Sequence, residues 1–289
     1  MKRLTFTSHL RAYRLPRDLC DQALQFSEQT EIARFIPVGD MECFGVEDPR
    51  ITCVDGRFYI TYVSVSEHGA CTSLAVTDDF VTYERIGVIF PPENKDVTLF
   101  DRKVGECYVA LHRPNPSTYF SSPEMWLSYS DNLRDYGGHI PLFGGITNVP
   151  RTLPEIPADS PPDTQDTKKP NVLSDERSWK VGRVGGGCVP MWTERGWLTI
   201  YHGNAKHPNS PKSDVGTYSA GILLLDADDP SKIIARTPEP FMIPEKDFEK
   251  QGFVNDVVFP TALLDRGDRW LIVYGASDTH AAAVEYDKQ

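Results

Sequence analysis

Long apolar runs are missing from this sequence. No stretch of its 289 residues approaches the roughly 18 consecutive apolar residues of a membrane-spanning helix, and residues 1–15 hold several arginines but no apolar secretory leader. A surplus of positive charge is missing too. Lys and Arg total 30 against 41 Asp and Glu, for a net charge of −11, and the basic residues are scattered among acidic ones. That pattern excludes the basic stripe of a nucleic-acid binder and disfavours a polyanionic substrate. A neutral ligand such as a sugar is indifferent to it, whereas a phosphate site has to gather cations locally. Paired cysteines are also missing: Cys20, Cys43, Cys53, Cys71, Cys107 and Cys188 stand singly, with no CxxC and no zinc-ligand spacing. Buried free thiols are expected, with three disulfides as the alternative. These absences predict a cytoplasmic protein with no metal, no nucleic-acid or membrane partner, and homo-oligomerisation left open.

Helical periodicity is nearly absent as well, with one or two turns expected at Glu245–Gln251. What is present is 40% hydrophobic residues arranged in short alternating runs bounded by Gly, Asp, Asn or Pro, which excludes disorder and predicts strands. The clearest hairpins are Arg50–Val54 with Phe58–Val65 across Asp55-Gly56, Met191–Trp192 with Trp197–His202, and Thr261–Leu264 with Trp270–Tyr274. A weak repeat recurs in Val46–Thr77, Asn94–Tyr129, Gly185–Leu225 and Asn255–Tyr286, with an imperfect copy before Phe44. The expectation is an all-β chain, 1–289 forming a single five-bladed β-propeller. Its first blade is expected to be incomplete or closed by a C-terminal strand. Prolines at 150, 154, 157, 161, 162 and 170 mark an inserted loop at about 145–178, read either as a lid or as disorder.

Charged or polar residues fall at matching points of the repeats, at the entrance of the first strand and the exit of the second. They are Gly45-Val-Glu-Asp-Pro-Arg50, Glu93-Asn-Lys-Asp96, Leu111-His-Arg-Pro114, Arg183-Val-Gly-Gly-Gly-Cys-Val-Pro190 with Ile200-Tyr-His-Gly203, and Gly252-Phe-Val-Asn-Asp-Val-Val-Phe-Pro260 with Tyr274-Gly-Ala-Ser-Asp278. Taken alone, each has a bland reading. Charges at a strand start are often a solvated turn, and Asp96 beside Lys95 is either an ion pair or an acid held by a cation. The triple glycine lacks the Lys-Ser/Thr of a phosphate loop and suits close packing at an axis or close approach to a sugar. Together they converge on one end of a propeller funnel, the default position for an active site.

In this order the motifs resemble those of glycoside hydrolase family 130, five-bladed propellers comprising β-mannoside phosphorylases and β-mannosidases. The resemblance runs from about Ser8 to Tyr286. It implies short β-mannosides as substrates, cleaved with inversion, and Asp96 as the general acid. In phosphorylases its proton passes through a mannose hydroxyl. It further implies that Glu47, Asp48, Arg50, Asn94, Lys95, Arg113, His202, Tyr274 and Asp278 serve substrate, with Arg113, Arg183 and His202 available to phosphate and Lys180 as a further cation. No cofactor is implied beyond phosphate as co-substrate. Two departures stand out: Trp192 where phosphorylases carry a cation, and Asp256 where they carry an amide. Both changes disfavour phosphate, so hydrolysis is the expected reaction and phosphorolysis the alternative, with a non-catalytic sugar-binding propeller as a third reading. An inverting hydrolase needs a base on the order of 6.5 to 9.5 Å from the acid. Asp256 is its candidate, with Glu194 and Glu47 behind it.

Overall fold

Alternating runs and tight turns produce antiparallel sheet through most of the residues described by the computed structural model, which are 6–16, 22–116, 123–144, 179–180, 182–206 and 215–288. Cys20 and the whole of the expected loop at 145–178 lie outside them. Three short strands come first: β1 (Leu10–Tyr13), β2 (Gln22–Ala23) and β3 (Glu31–Phe35). A first blade follows from β4 (Gly45–Val54), β5 (Arg57–Ser66), β6 (Gly69–Thr77) and β7 (Glu84–Phe90), and a second from β8 (Asn94–Leu99), β9 (Tyr108–Pro114), β10 (Met125–Ser130) and β11 (Gly137–Phe143). In the third, β12 (Arg183–Gly186) and β13 (Met191–Thr193) share the inner position, both pairing with β14 (Gly196–Ala205), and β15 (Thr217–Leu225) and β16 (Ile233–Arg236) complete it. A short helix, α1 (Asp247–Lys250), precedes the fourth blade of β17 (Val258–Asp265), β18 (Arg269–Ala276) and β19 (His280–Asp287).

Among the described residues the expected five blades are corrected to four. In the described part of the segment before Phe44, β1 pairs with β3 in a two-stranded sheet, and β2 crosses to the outer edge of the fourth blade, pairing with β19. Closure therefore runs opposite to expectation, with an N-terminal strand completing the C-terminal blade. Ser8 bridges in parallel to Gly45 and thereby ties the small sheet to the first blade.

The apolar core is divided among the faces where consecutive sheets meet. Phe35 of β3 packs with Val46 and Tyr62 of the first blade, and Leu74 and Phe90 pack with Leu99 and Ala110 of the second. Leu111 and Leu127 pack with Trp197 and Leu223 of the third, and Ile200 and Ala220 with Val258 and Ile272 of the fourth. Burying both faces of each blade explains why β6 reads as a near-continuous run of apolar or small residues. The β4–β5 hairpin turns at Asp55-Gly56 with φ of 49° and 83°, the paired positive values that a two-residue turn between twisted strands requires.

Inner strands meet around the axis, β4 against β8, β8 against β12, and β17 against β4. Arg50 crosses that axis: its Nε donates to the carbonyl of Gly187 and its guanidinium lies 5.2 Å from the centroid of Phe259, linking the first, third and fourth blades in a side chain only 1% exposed. The cysteines also depart from expectation. Cys71 and Cys188 are buried free thiols, but Cys43 and Cys53 are exposed and Cys107 is half-buried. Among the described residues, no helix is long and apolar enough to cross a membrane.

Candidate active site

Backbone geometry places the site. Glu47 pairs with Val63 and Arg50 with Thr61, so Asp48 and Pro49 together face Tyr62; Lys95 pairs with Arg113 and Thr98 with Leu111, so Asp96 and Val97 together face His112. Each is a bulge, two residues opposite one, which re-aims a side chain at the strand entrance. Asp48, Asp96 and, ahead of β17, Asp256 adopt φ of 50°, 56° and 58°. Aspartate tolerates this left-handed region better than most residues, so part of the repeated Asp signal is a backbone requirement.

What separates Asp96 from the others is its surroundings. Its carboxylate is buried, with Oδ2 2.6 Å from Arg113 Nη1 and 3.2 Å from His202 Nε2. Arg113 Nη1 is also 3.1 Å from His202 Nε2, while Arg113 Nε donates to Asn115 Oδ1. Burial on its own would raise the Asp96 pKa, but Arg113, His202 and the more distant Arg50 outweigh it and hold the carboxyl well below its usual range. His202 is shifted down as well, because it is wholly buried beside two guanidinium groups, with Asp96 opposing. Asp96 is thereby held as the anion against the Arg113 cation, and burial favours the neutral form of the His202 imidazole.

The triple glycine makes room for this cluster. A Cβ on Gly185 would stand 2.2 Å from Asp96 Oδ2 and 2.8 Å from His202 Nε2, and one on Gly187 would stand 2.7 Å from the Ile200 carbonyl oxygen. Close packing at the axis, one of the readings open for this motif, is what the structure shows.

Above the cluster opens a cavity of about 870 Å³ lined by Glu47, Asp48, Lys95, Asp96, Arg113, Arg183 and Asp278 among others. Lys95 Nζ is 3.9 Å from Glu47 Oε2, and the Ser8 hydroxyl donates to Glu47 Oε1 at 3.0 Å. Asp278 has a raised pKa, first through partial withdrawal from water and then through the negative charges of Asp48 and Glu47, with Lys95 acting against them. The cavity thus has an acidic wall with hydrogen-bond acceptors suited to hydroxyl groups, and a cationic floor.

The remaining candidates fall elsewhere. Arg50 lies beneath the cavity and acts on Asp96 through its charge. Asn94 is buried and bonded to His112 Nδ1 at 3.0 Å, and the Tyr274 hydroxyl donates to Glu249 Oε1 at 2.6 Å within the packing of the fourth blade. Asp256 is exposed and is not among the lining residues, although Val254 and Val257 are. Glu194 occupies the exposed β13–β14 turn at the far end of the blade, and Lys180 is buried against Trp179. Trp192 is also at the far end. It packs on Trp197 with ring centroids 5.1 Å apart, under Arg102, beside a second, smaller cavity. Sequence reasoning missed Tyr218 and Phe259, which line the main cavity and lie against the His202 ring at 5.8 and 4.4 Å. In the sequence, both are aromatics within apolar strands, the same signal that core residues give.

These features define a β-propeller whose funnel holds a buried carboxylate, an arginine and a histidine below an acidic wall. Comparison with known proteins supplies the family. The sequence profile of glycoside hydrolase family 130, described as beta-1,4-mannooligosaccharide phosphorylase, matches residues 11–153 and 164–289, and the chain belongs to this family. It is 35% identical over 249 residues to a beta-1,2-mannobiose phosphorylase of Listeria innocua, covering 86% of this chain and 59% of that protein. It is 32% identical to a 1,2-beta-oligomannan phosphorylase of a Thermoanaerobacter species, covering 83% and 67%. The solved structure of the Listeria innocua beta-1,2-mannobiose phosphorylase in complex with beta-1,2-mannobiose superposes with a TM-score of 0.71 at 34% identity, over 88% of this chain and 61% of that one. The chain thus spans about three fifths of the length of the first of these relatives.

Proposed function

We propose that this chain carries a phosphorolytic site for β-mannosides, in which inorganic phosphate displaces the leaving sugar and releases α-mannose 1-phosphate. The observation that carries this reading is the cationic floor. In a chain of net charge −11, Arg113 and Arg183 line the cavity around Asp96, His202 and Tyr218. The expected hydrolysis rested on two charge changes, and neither lies in the cavity lining: Trp192 is at the far end of its blade and Asp256 is exposed outside the lining. The relatives bearing phosphorylase names support the same choice.

The chemistry follows from the arrangement. A phosphate oxygen held over the floor attacks the anomeric carbon from the face opposite the glycosidic bond. That bond breaks, its electron pair goes to the glycosidic oxygen, and the oxygen takes a proton originating on Asp96, through a mannose hydroxyl as the family resemblance implies. A single displacement turns a β-mannoside into the α-phosphate. Asp96 is left as the carboxylate that pairs with Arg113. The balancing proton is the one that hydrogen phosphate carries: the ester releases it as it forms, it returns to Asp96, and the next phosphate favours the protonated acid by drawing Arg113 away and adding negative charge beside the Asp96–His202 pair.

The test is the dependence of β-1,2-mannobiose cleavage on phosphate. Initial rates should rise from near zero and saturate with phosphate. Arg183→Ala, which spares the Asp96–Arg113 contact, should raise the KM for phosphate by about tenfold to a hundredfold, the scale of a charge-assisted hydrogen bond, with the mannoside KM little changed. Cleavage indifferent to phosphate overturns the reading.

A further inference from the structure

Phe253 and Phe6 stand out at the cavity mouth. Phe253 is 73% exposed and Phe6 51%, yet both line the main cavity, and their rings meet edge to face with centroids 6.1 Å apart. Phe253 is held from behind by its backbone, its N–H donating to Thr279 Oγ1 at 2.9 Å, and Val254 N–H donates to the Ser277 carbonyl. A phenyl ring left this open gains nothing for the fold, since apolar burial is what stabilises and here it is forgone.

We infer that Phe253, braced by Phe6, is a stacking platform for a pyranose ring at the cavity mouth and sets how firmly the sugar beyond the cleaved bond is held. The inference rests on the mannoside reading above. Its chemical basis is the shape of β-mannopyranose: the axial hydrogens of C1, C3 and C5 share one face, while the axial 2-hydroxyl lies on the other. One side of the ring is therefore a C–H surface that matches an aromatic face without requiring a hydrogen bond. Phenylalanine has no polar tip, so the contact selects for the apolar face alone. Depth orders the two ends of the substrate. Asp96 is 4% exposed at the floor and Phe253 is at the rim, so the unit on the platform is the leaving sugar and the transferred mannosyl unit lies deeper.

The experiment separates binding from chemistry. On an Asp96→Asn background, the affinity for β-1,2-mannobiose and its trimer is measured by calorimetry with and without Phe253→Ala. Affinity should fall about fivefold to tenfold, the loss expected from uncovering part of one aromatic face. Phe253→Trp should retain it. In the otherwise unmodified protein, Phe253→Ala should raise the mannoside KM by the same factor and leave kcat, the phosphate KM and the melting temperature unchanged. Unchanged sugar affinity in Phe253→Ala overturns the platform. So does loss of a self-associated species in sedimentation without loss of affinity, which would assign the rings to a contact between copies. Platform-dependent binding with no phosphate-dependent cleavage by the unmodified protein would instead overturn the phosphorylase reading and leave the platform standing.

Discussion

Asp96→Asn is expected to lower β-mannoside turnover by at least about a hundredfold, the scale for loss of a positioned proton donor, while the fold and mannoside binding persist. The substitution keeps the size of the side chain and its left-handed backbone, which asparagine also tolerates. It removes the charge opposite Arg113, 2.6 Å away, so the guanidinium is left buried without its anion. Stability should respond in a defined direction. The pKa of Asp96 is depressed in the folded protein, so its contribution is present above the unfolded carboxylate value of about 4 and is lost as pH falls through the depressed folded value. The variant should therefore be less stable than the parent at neutral pH, and the difference should shrink in acid. Calorimetry adds a second reading: phosphate binding to the parent, compared in buffers of different ionisation enthalpy, should draw more protons than binding to the variant. Turnover near the parental level would remove Asp96 from the mechanism.

Gly185→Ala is expected to do comparable damage from outside the reacting groups. The added methyl would lie 2.2 Å from Asp96 Oδ2 and 2.8 Å from both Cε1 and Nε2 of His202, on side chains that are themselves buried. Neither can swing into solvent, so the Asp96–Arg113–His202 contacts must open. Overpacking of this kind costs about 1 to 3 kcal/mol in stability. Misplacing an acid by an ångström costs turnover on the order of a hundredfold. The signature that distinguishes this change from Asp96→Asn is the phosphate affinity, which should fall as His202 and Arg113 move. A variant with the parental melting temperature and rate would show that the cluster has slack the structure does not display.

How legible this was differs by element. The strands of all four blades were visible because each repeat alternates or runs apolar between Gly, Asp and Asn turns, and Asp55-Gly56 marks its hairpin by turn chemistry alone. The fifth blade failed for a physical reason. Whether a short polar strand such as Gln22–Ala23 pairs with its neighbours or with β19 is decided by which sheet edge is free, a long-range property absent from local sequence. The motif pattern placed Asp96, Arg113, Glu47, Asp48, Lys95, Arg183 and Asp278 at one cavity because charge at a strand entrance is conspicuous. Trp192 and Asp256 fall outside the cavity lining for a shared reason: neighbouring a motif in sequence does not fix which way a side chain points when bulges and a broken inner strand intervene. Tyr218 and Phe253 were hidden oppositely, the first as an apparent core aromatic and the second as an ordinary exposed hydrophobic.

Product analysis tests the central claim most directly. The protein is incubated with β-1,2-mannobiose and phosphate, and the reaction is followed by phosphorus and proton NMR. The account predicts a new phosphate ester with the α-anomeric signal of mannose 1-phosphate, formed in step with free mannose and absent when phosphate is withheld. Free mannose as the sole product, formed at the same rate with or without phosphate, would contradict it.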